Sequence, residues 1–260
     1  MLGRTHALSG AAVFAGLDAG LLHLGAVAAV TGAVLTAGAA VLPDLDHPDA
    51  TVSRTFGFLT QALAWAVGKA SGGHRHGTHS VAGVAVFTAV AVTARVFAGT
   101  PAGLAVLAVL AALLLAAALR ALRIGGHSAD LLALAAAAAM AWASSAGLAW
   151  LPWAAALGTT AHIAGDMLTI EGCPLAWPLT RRRCWLLPRQ LRFETGHTAE
   201  RWVVAPALLA ALAVATVLAV HGQHLPGGTG PSSGRPAPAP RLSVTGRPGA
   251  PGQFPEDTHA

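Results

Sequence analysis

The feature that most constrains the fold is a series of long apolar runs, which recurs from the N-terminus to about residue 221. Only 10% of the 260 residues are charged and the mean hydropathy is +0.59, whereas about a quarter of the residues of a typical soluble domain are charged. A helix needs about 20 consecutive apolar residues to span a membrane. The chain is therefore predicted to be an integral membrane protein of the all-α class.

The apolar runs divide into about seven predicted spans, which would form a polytopic transmembrane helix bundle. Residues 6–42 are too many for one span and predict a helical hairpin, with its break at residues 16–20, where two glycines flank Asp18. The other runs lie at residues 80–98, 102–119, 129–150, 153–170 and 201–221. Each of them is long enough to cross a bilayer.

Polar segments separate these runs. In the first polar loop, residues 43–78, four apolar residues recur at helical spacing, namely Phe56, Leu59, Leu63 and Val67. This amphipathic stretch is predicted to lie on the membrane surface. Residues 171–200 form a second, arginine-rich loop.

The last part of the chain differs in composition from the rest. Residues 225–260 are rich in Pro, Gly, Ser and Arg and show no hydrophobic periodicity. Such a segment buries too little apolar surface to fold by itself. We therefore predict a membrane-embedded domain over residues 1–224 and a disordered tail over residues 225–260.

The basic residues predict the orientation. If loop 43–78 is cytoplasmic, the segments on its side of the membrane carry twelve Lys and Arg residues and the opposite side carries four. Cytoplasmic loops carry the excess of positive charge, so both polar loops are predicted to face the cytoplasm and the tail to lie outside. The net charge of +5 is then explained without nucleic acid, which is not an expected partner. Binding of a regulator protein through the arginine-rich loop stays open.

Three polar clusters stand where apolar runs begin or end. Asp44 and Asp46 lie two residues apart, so in an extended segment their side chains point the same way. His162 and Asp166 are separated by four residues and project from one face of a helix. Between these clusters, His74 and His79 flank the start of the next predicted span, and the N-terminal hairpin would return His6 to the same membrane face.

These residues together predict a metal site. Any one of them alone is as well explained as a helix cap or an interfacial residue, but ionisable groups at a membrane face are costly unless they are used or paired. Mixed imidazole and carboxylate ligands suit zinc, manganese or iron better than magnesium. Cys173 and Cys184 form no CxxC pair and are expected to be free thiols. We predict one or two divalent ions per chain, held by ligands from this set: His6, Asp44, Asp46, His74, His79, His162 and Asp166.

The motifs LPDLDHP, HRxxTHS and HxxxDMLTxxGxPLxWP resemble those of the inner-membrane metal-dependent hydrolase family, also described as LexA-binding, inner membrane-associated hydrolases. The resemblance covers roughly residues 1–205 and implies a multi-span protein of the inner membrane with a divalent-metal hydrolase site. Besides the residues above, it adds His47, Thr169 and Glu200 as motif positions. In one departure, His76 stands where the family usually has glycine, which makes His76 an additional candidate ligand.

The predicted function is that of a divalent-metal-dependent hydrolase at the cytoplasmic face of the membrane. Its expected substrate is an ester or phosphoester of a lipid or lipid-linked molecule, because the site lies at the bilayer surface. Asp46 or Glu200 could act as general base and Arg75 could neutralise an oxyanion. The alternative is a non-catalytic metal-ion transporter or membrane scaffold. Transporters place ionisable groups near the bilayer midplane on broken helices, whereas these clusters lie at helix ends, which favours the enzyme.

Overall fold

The computed structural model describes residues 1–143 and 148–224, and in these ranges the regular secondary structure is helical apart from two isolated β-bridges. Its α-helices are α1 (Gly3–Leu17), α2 (Ala26–Ala39), α3 (Phe58–Ala70), α4 (Val81–Val96), α5 (Pro101–Ala121), α6 (Ala129–Ala143), α7 (Leu151–Asp166) and α8 (Ala205–His224). The all-α prediction is confirmed. The predicted tail, residues 225–260, lies outside the described residues.

Within the described residues, five helical segments are long and apolar enough to cross a membrane. They are Gly3–Leu22, Ala26–Asp46, Val81–Gly99, Pro101–Ala121 and Glu200–His221. The predicted count of seven is not confirmed, because the search of the described residues finds five such segments. Helix α7 has 16 residues and at 1.5 Å per residue reaches only about 24 Å, less than the ~30 Å of a bilayer's hydrocarbon core.

The starts of α4 and α5 follow from local capping. The Ser80 hydroxyl accepts a hydrogen bond from the Gly83 N–H, and the Thr100 hydroxyl accepts one from the Gly103 N–H at 3.0 Å. Pro101 occupies the first turn of α5, where its missing N–H costs nothing. The predicted break at residues 99–101 is thus confirmed.

The break in the N-terminal hairpin lies further along than predicted. Helix α1 continues as a π-helical turn, Asp18–Leu22, and the chain reverses at His23, whose backbone is left-handed with φ 50°. The Asp18 carboxylate accepts a hydrogen bond from the Leu24 N–H at 2.7 Å. The prediction of a break at residues 16–20 was wrong, because these residues remain helical. Asp18 lies within the helix and accepts the hydrogen bond that stabilises the reversal after it.

Small residues bring the helices into close contact around α2. A Cβ atom on Gly38 would lie 1.9 Å from the carbonyl oxygen of Leu114 in α5, and one on Gly158 in α7 would lie 2.6 Å from the Ala39 side chain. Membrane helices associate through such small-residue contacts, since lipid provides no hydrophobic drive between them. Helix α2 therefore packs directly against both α5 and α7, and this contact fixes the end of α2 beside the end of α7.

The predicted apolar stripe around α3 is only partly buried, since Phe56 and Val67 pack against the core. Leu59 and Leu63 are exposed, whereas Thr60 and Ala64 are buried. On the same buried side, a Cβ atom on Gly68 would lie 2.6 Å from the carbonyl oxygen of Asp46. The close approach of α3 fixes the backbone at Asp46, and its position on the membrane surface stays a prediction.

The arginine-rich loop folds back beneath the end of α7. Thr169 bridges to Phe193, and Cys173 pairs with Cys184 in an antiparallel bridge. Both cysteines are free thiols, as expected. Burial, together with the charge of Asp166, raises the pKa of the Cys173 thiol to about 12, so this sulfur is protonated near neutral pH in the metal-free protein.

Candidate metal centre

Four separate segments meet at one end of the bundle. Helix α1 starts at this end and carries His6 near its first turn, and α7 ends there at Asp166. The other two segments are the 3₁₀ turn Leu42–Asp46, which follows α2, and the turn Gly77–His79, which precedes α4. The side chains of His6, His79, His162 and Asp166 are buried, and that of Asp44 is 22% exposed. The structure thus brings together residues that are up to 160 positions apart in the chain (His6 and Asp166).

Four ligand atoms converge at the centre of this cluster. His79 Nε2 lies 3.2 Å from His162 Nε2, 3.5 Å from Asp44 Oδ1 and 3.7 Å from Asp166 Oδ2. His162 Nε2 lies 3.7 Å from the same Asp44 oxygen and 3.6 Å from the same Asp166 oxygen. Bonds of about 2.0–2.2 Å to a tetrahedral zinc ion place neighbouring ligand atoms roughly 3.3–3.6 Å apart, so the distances of the two histidine nitrogens from each other and from the two carboxylate oxygens are close to those around a divalent ion.

The opposite nitrogens of the two histidines are held by other groups. His162 Nδ1 lies 2.7 Å from the carbonyl oxygen of Ala40. His79 Nδ1 lies 3.0 Å from Thr78 Oγ1 and 3.5 Å from Asp46 Oδ2. Metal-bound histidines usually donate their second N–H to a carbonyl or carboxylate in this way, which directs the other nitrogen to the ion.

Unsatisfied atoms also indicate a cation. Asp166 Oδ1 contacts the Met1 amino group and lies 3.2 Å from His6 Nε2. Asp166 Oδ2 and His6 Nδ1, by contrast, are buried and have no hydrogen-bond partner among the described residues. Buried polar atoms are normally satisfied, and a carboxylate oxygen facing two imidazole nitrogens is suited to a metal ion. The donor set therefore fits the predicted divalent metal.

The carboxylates of the cluster act on His79. Burial by itself would lower the pKa of His79, but hydrogen bonds and charges from Asp44 and Asp46 outweigh burial and raise it to about 9. His79 therefore carries a proton at neutral pH unless a cation displaces it. Such a displacement makes metal uptake compete with protons.

His6 lies beside the four converging atoms. Its ring stacks on that of His162, with 3.6 Å between the centroids. Three overlapping groups of residues have ligand atoms close enough to hold an ion: His6, Asp44 and His162; Asp44, His74 and His79; and His79, His162 and Asp166. Because these groups share residues, they are compatible with one ion or with two, and the number of ions per chain stays a prediction.

Asp46 occupies a supporting position. Its Oδ1 lies 2.7 Å from His74 Nδ1, and its Oδ2 accepts hydrogen bonds from Thr78 Oγ1 at 2.6 Å and from the Arg75 N–H at 3.0 Å. Both oxygens are thus engaged, behind His79. The geometry gives Asp46 an orienting role toward His74 and His79, and its predicted role as a ligand stays a prediction.

Glu200 has different contacts from those predicted. One of its carboxylate oxygens accepts a hydrogen bond from the Leu2 N–H and the other from the Gly196 N–H, both at 2.6 Å. The carboxylate joins the start of α1 to the loop before α8. Glu200 thus has a structural contact through each oxygen, and its predicted role as general base stays a prediction.

The other motif residues have local contacts. The Thr169 hydroxyl donates to the Asp166 carbonyl at the end of α7. His47 Nδ1 accepts from the Asp49 N–H, and His76 Nδ1 lies 3.0 Å from the His74 carbonyl. The left-handed residue of this turn is Arg75, with φ 59°, whereas His76 has φ −117°.

Fold and site together define a helical membrane protein with a buried histidine–aspartate cluster that could hold a divalent metal ion. Residues 1–122 match the profile of a family described as YdjM inner membrane protein. This match confirms the resemblance noted in the sequence and, with the five apolar helices, supports a location in the inner membrane. It includes the first two motifs, while the third, which contains His162 and Asp166, lies beyond the matched range. No curated protein and no solved structure matches the chain.

Proposed function

We propose that this protein is a membrane-bound, divalent-metal-dependent hydrolase that acts at the cytoplasmic face on an ester or phosphoester of a lipid or lipid-linked substrate. The observation that carries the proposal is that carboxylate oxygens of Asp44 and Asp166 lie 3.5–3.7 Å from the Nε2 atoms of both His79 and His162, with each histidine oriented from behind. A divalent ion held by Asp44, His79, His162 and Asp166 would acidify a water molecule and polarise the bond under attack.

His74 is suited to accept the proton. It is the exposed histidine of the cluster, with 38% of its side chain accessible, and its Nδ1 lies 2.7 Å from Asp46 Oδ1. A carboxylate at one imidazole nitrogen fixes the tautomer and leaves the other nitrogen free to take a proton. Asp46 then serves both His74 and His79.

Arg75 is suited to stabilise negative charge. Its Nη2 lies 3.6 Å from Asp166 Oδ2, at the edge of the cluster. A guanidinium in this position faces the place where charge develops during hydrolysis, and such preorganised donors are worth most where water is excluded. The left-handed backbone of Arg75 directs its N–H to Asp46 and places its side chain beside Asp166.

A lipid substrate is supported by the apolar surface beside the site. A cavity of about 260 Å³ is lined by Val67, Thr78, Val86, Phe87 and Trp177. Val86 also lines a larger groove between α4 and α5, of about 610 Å³. Apolar surface thus continues from Thr78, which contacts Asp46, along the membrane-exposed face of α4, where a hydrocarbon chain could lie.

The proposal is tested with full-length protein purified in detergent and loaded with zinc or manganese. Micellar carboxylic esters and phosphoesters with a chromogenic leaving group would be presented to the wild type, to His162→Ala and to His221→Ala. We expect turnover of at least one substrate class by the wild type and by His221→Ala, and none by His162→Ala. Metal retention without turnover of any ester, together with metal flux in liposomes, would contradict the proposal and favour the transporter.

A further inference from the structure

A polar pocket of about 460 Å³ opens beside the metal centre, and the proposed function gives no role to its wall in the arginine-rich loop. Its wall joins the histidine turn to the arginine-rich loop, with His74 and Arg75 on one side and Glu171, Arg183, Glu194 and Thr195 on the other. Arg75 is shared between this pocket and the cluster, because its Nη2 lies 3.6 Å from Asp166 Oδ2. The pocket is therefore adjacent to the point where the four ligand atoms converge.

Two polar atoms of this pocket are buried without a partner. Arg75 Nη1 and Thr195 Oγ1 make no hydrogen bond within the described part of the chain. Both can donate: guanidinium has no acceptor capacity, and a hydroxyl can rotate its proton toward an anion. Two unsatisfied donors from separate segments on the wall of one pocket indicate a ligand with several acceptor oxygens.

The charges of the pocket also favour an anion. The two carboxylates on its wall already have cationic or titratable neighbours, since Arg183 Nη1 donates to Glu171 at 3.0 Å and Glu194 lies 3.6 Å from His197 Nδ1. Asp166, whose Oδ2 lies 3.6 Å from Arg75 Nη2, belongs to the proposed ligand set. With a cation bound to Asp166, the Arg75 guanidinium has no remaining anionic partner among the described residues.

We propose that this pocket binds the phosphoryl group of the substrate, with Arg75 and Thr195 as its donors and Arg183 at its edge. The inference rests on the proposed hydrolase function and narrows its substrate class to phosphate esters. A carboxylic ester is neutral and offers no charge to the guanidinium, whereas a phosphoryl group supplies several acceptor oxygens in the geometry that Arg matches best. Thr195 is a specificity residue that the sequence motifs do not include.

The experiment measures binding of inorganic phosphate to zinc-loaded, full-length protein in detergent by calorimetry, with metal content determined in parallel. Arg75→Gln should weaken phosphate binding by about 10-fold or more, because it removes a charge-assisted pair of hydrogen bonds, and Thr195→Val should weaken it by several-fold. Arg182→Gln, an exposed arginine of the same loop, is the matched control and should bind as the wild type does. All three variants should keep the metal.

Phosphate binding that is equal in the wild type and in Arg75→Gln would overturn the inference, as would a metal-loaded wild type that binds no phosphate. Either result leaves the hydrolase proposal standing if a carboxylic ester is turned over. A wild type that binds no metal would instead contradict the hydrolase itself. Competition by a micellar phosphatidic acid and by glycerol 3-phosphate then identifies the source of the phosphate. Stronger competition by the first indicates a lipid headgroup, and stronger competition by the second indicates a soluble ester.

Discussion

Two buried carboxylates of this membrane protein, those of Asp18 and Asp166, have different surroundings and different predicted roles. Asp18 lies about 18 Å along α1 from His6, by the 1.5 Å rise per residue, and its carboxylate accepts the Leu24 N–H where the hairpin reverses. Asp166 lies in the cluster, where its Oδ2 has no hydrogen-bond partner among the described residues and faces two histidines at 3.6 and 3.7 Å. The Asp18 carboxylate accepts a hydrogen bond from a nearby backbone N–H. The Asp166 Oδ2 atom accepts none from the described residues and is suited to bind a cation.

The largest expected effect separates these two residues by metal content. Asp166→Asn should lower metal affinity by more than about 100-fold, since the loss of outer-shell groups alone costs about 10 to 100-fold. Asp18→Asn should keep the full metal content, because an amide oxygen can still accept the Leu24 N–H. Elemental analysis of both purified variants checks this prediction. Equal metal content in the two would show that the cluster is no more a metal site than the hairpin turn is.

A smaller effect on metal affinity is expected from a substitution at Asp46, which contacts His79 on the side away from the converging atoms. Asp46→Asn should weaken metal binding by about 10 to 100-fold, because it disturbs the contacts that orient His79, while excess metal should restore occupancy. Competition with a chelator measures the change. Asp49→Asn, an exposed carboxylate of the same loop, is the control and should leave the affinity unchanged. An unaltered affinity in Asp46→Asn would remove the supporting role assigned to this residue.

Metal binding should also depend on pH. In the metal-free protein the pKa of His79 is raised to about 9, so a proton must leave before the ion binds. Metal affinity is therefore expected to rise with pH up to about 9, by up to about 10-fold per pH unit. The stability of the metal-free protein is expected to change with pH in the opposite direction to the metal affinity. The protonated pair of His79 with Asp44 and Asp46 contributes stability below pH 6.5, and this contribution is lost as the pH rises through about 9. Titration of metal at several pH values and thermal unfolding of the metal-free protein test both signs.

The hairpin turn should matter for stability alone. Asp18→Ala leaves the Leu24 N–H without its charged acceptor, which is expected to lower the free energy of unfolding by about 1.5–3 kcal/mol. Metal content at saturating metal should not change. Thermal unfolding in detergent, followed by circular dichroism, measures the loss, and Asp18→Asn should recover most of it. A drop in metal content without a drop in stability would reverse the roles of the two carboxylates.

The smallest effect is expected at His221, which lies in the last turns of α8, at the end of that helix away from Glu200. His221→Ala removes an exposed imidazole whose Nδ1 contacts the Val217 carbonyl in its own helix. Metal content, unfolding temperature and turnover should all match those of the wild type. A loss of metal in this variant would mean that the clustering of ligands at one end of the bundle is not what holds the ion.

The comparison also shows what the sequence could predict. The convergence of His6, Asp44, His79 and the α7 pair follows from chain reversal, since helices that enter and leave one membrane face bring their polar ends together. The position of the hairpin reversal was predicted a few residues too early, because two glycines suggested a break there. The reversal is at His23, which has a left-handed backbone, and it is stabilised by the Asp18 carboxylate. Helix length was overestimated for residues 153–170, where α7 ends at Asp166.

The supporting groups were beyond the reach of sequence patterns. His162 is oriented by the carbonyl of Ala40, which is 122 residues away and is a main-chain group that any residue would supply. Thr78 belongs to the HRxxTHS motif, but no sequence pattern predicts that its hydroxyl joins Asp46 to His79. Glu200 had the right residue type for a general base, but its partners are the backbone N–H groups of Leu2 and Gly196. Such roles depend on tertiary contacts.

The central claim, that a divalent ion is held by the four converging ligand atoms, is tested most directly by metal analysis of detergent-purified wild type beside Asp44→Ala. The wild type should carry about one tightly bound divalent ion per chain or more, with only nitrogen and oxygen neighbours in its X-ray absorption spectrum. Asp44→Ala, inserted in the membrane to the same level, should carry almost none after dialysis. Full occupancy in Asp44→Ala, or a sulfur neighbour in the wild type, would contradict the account.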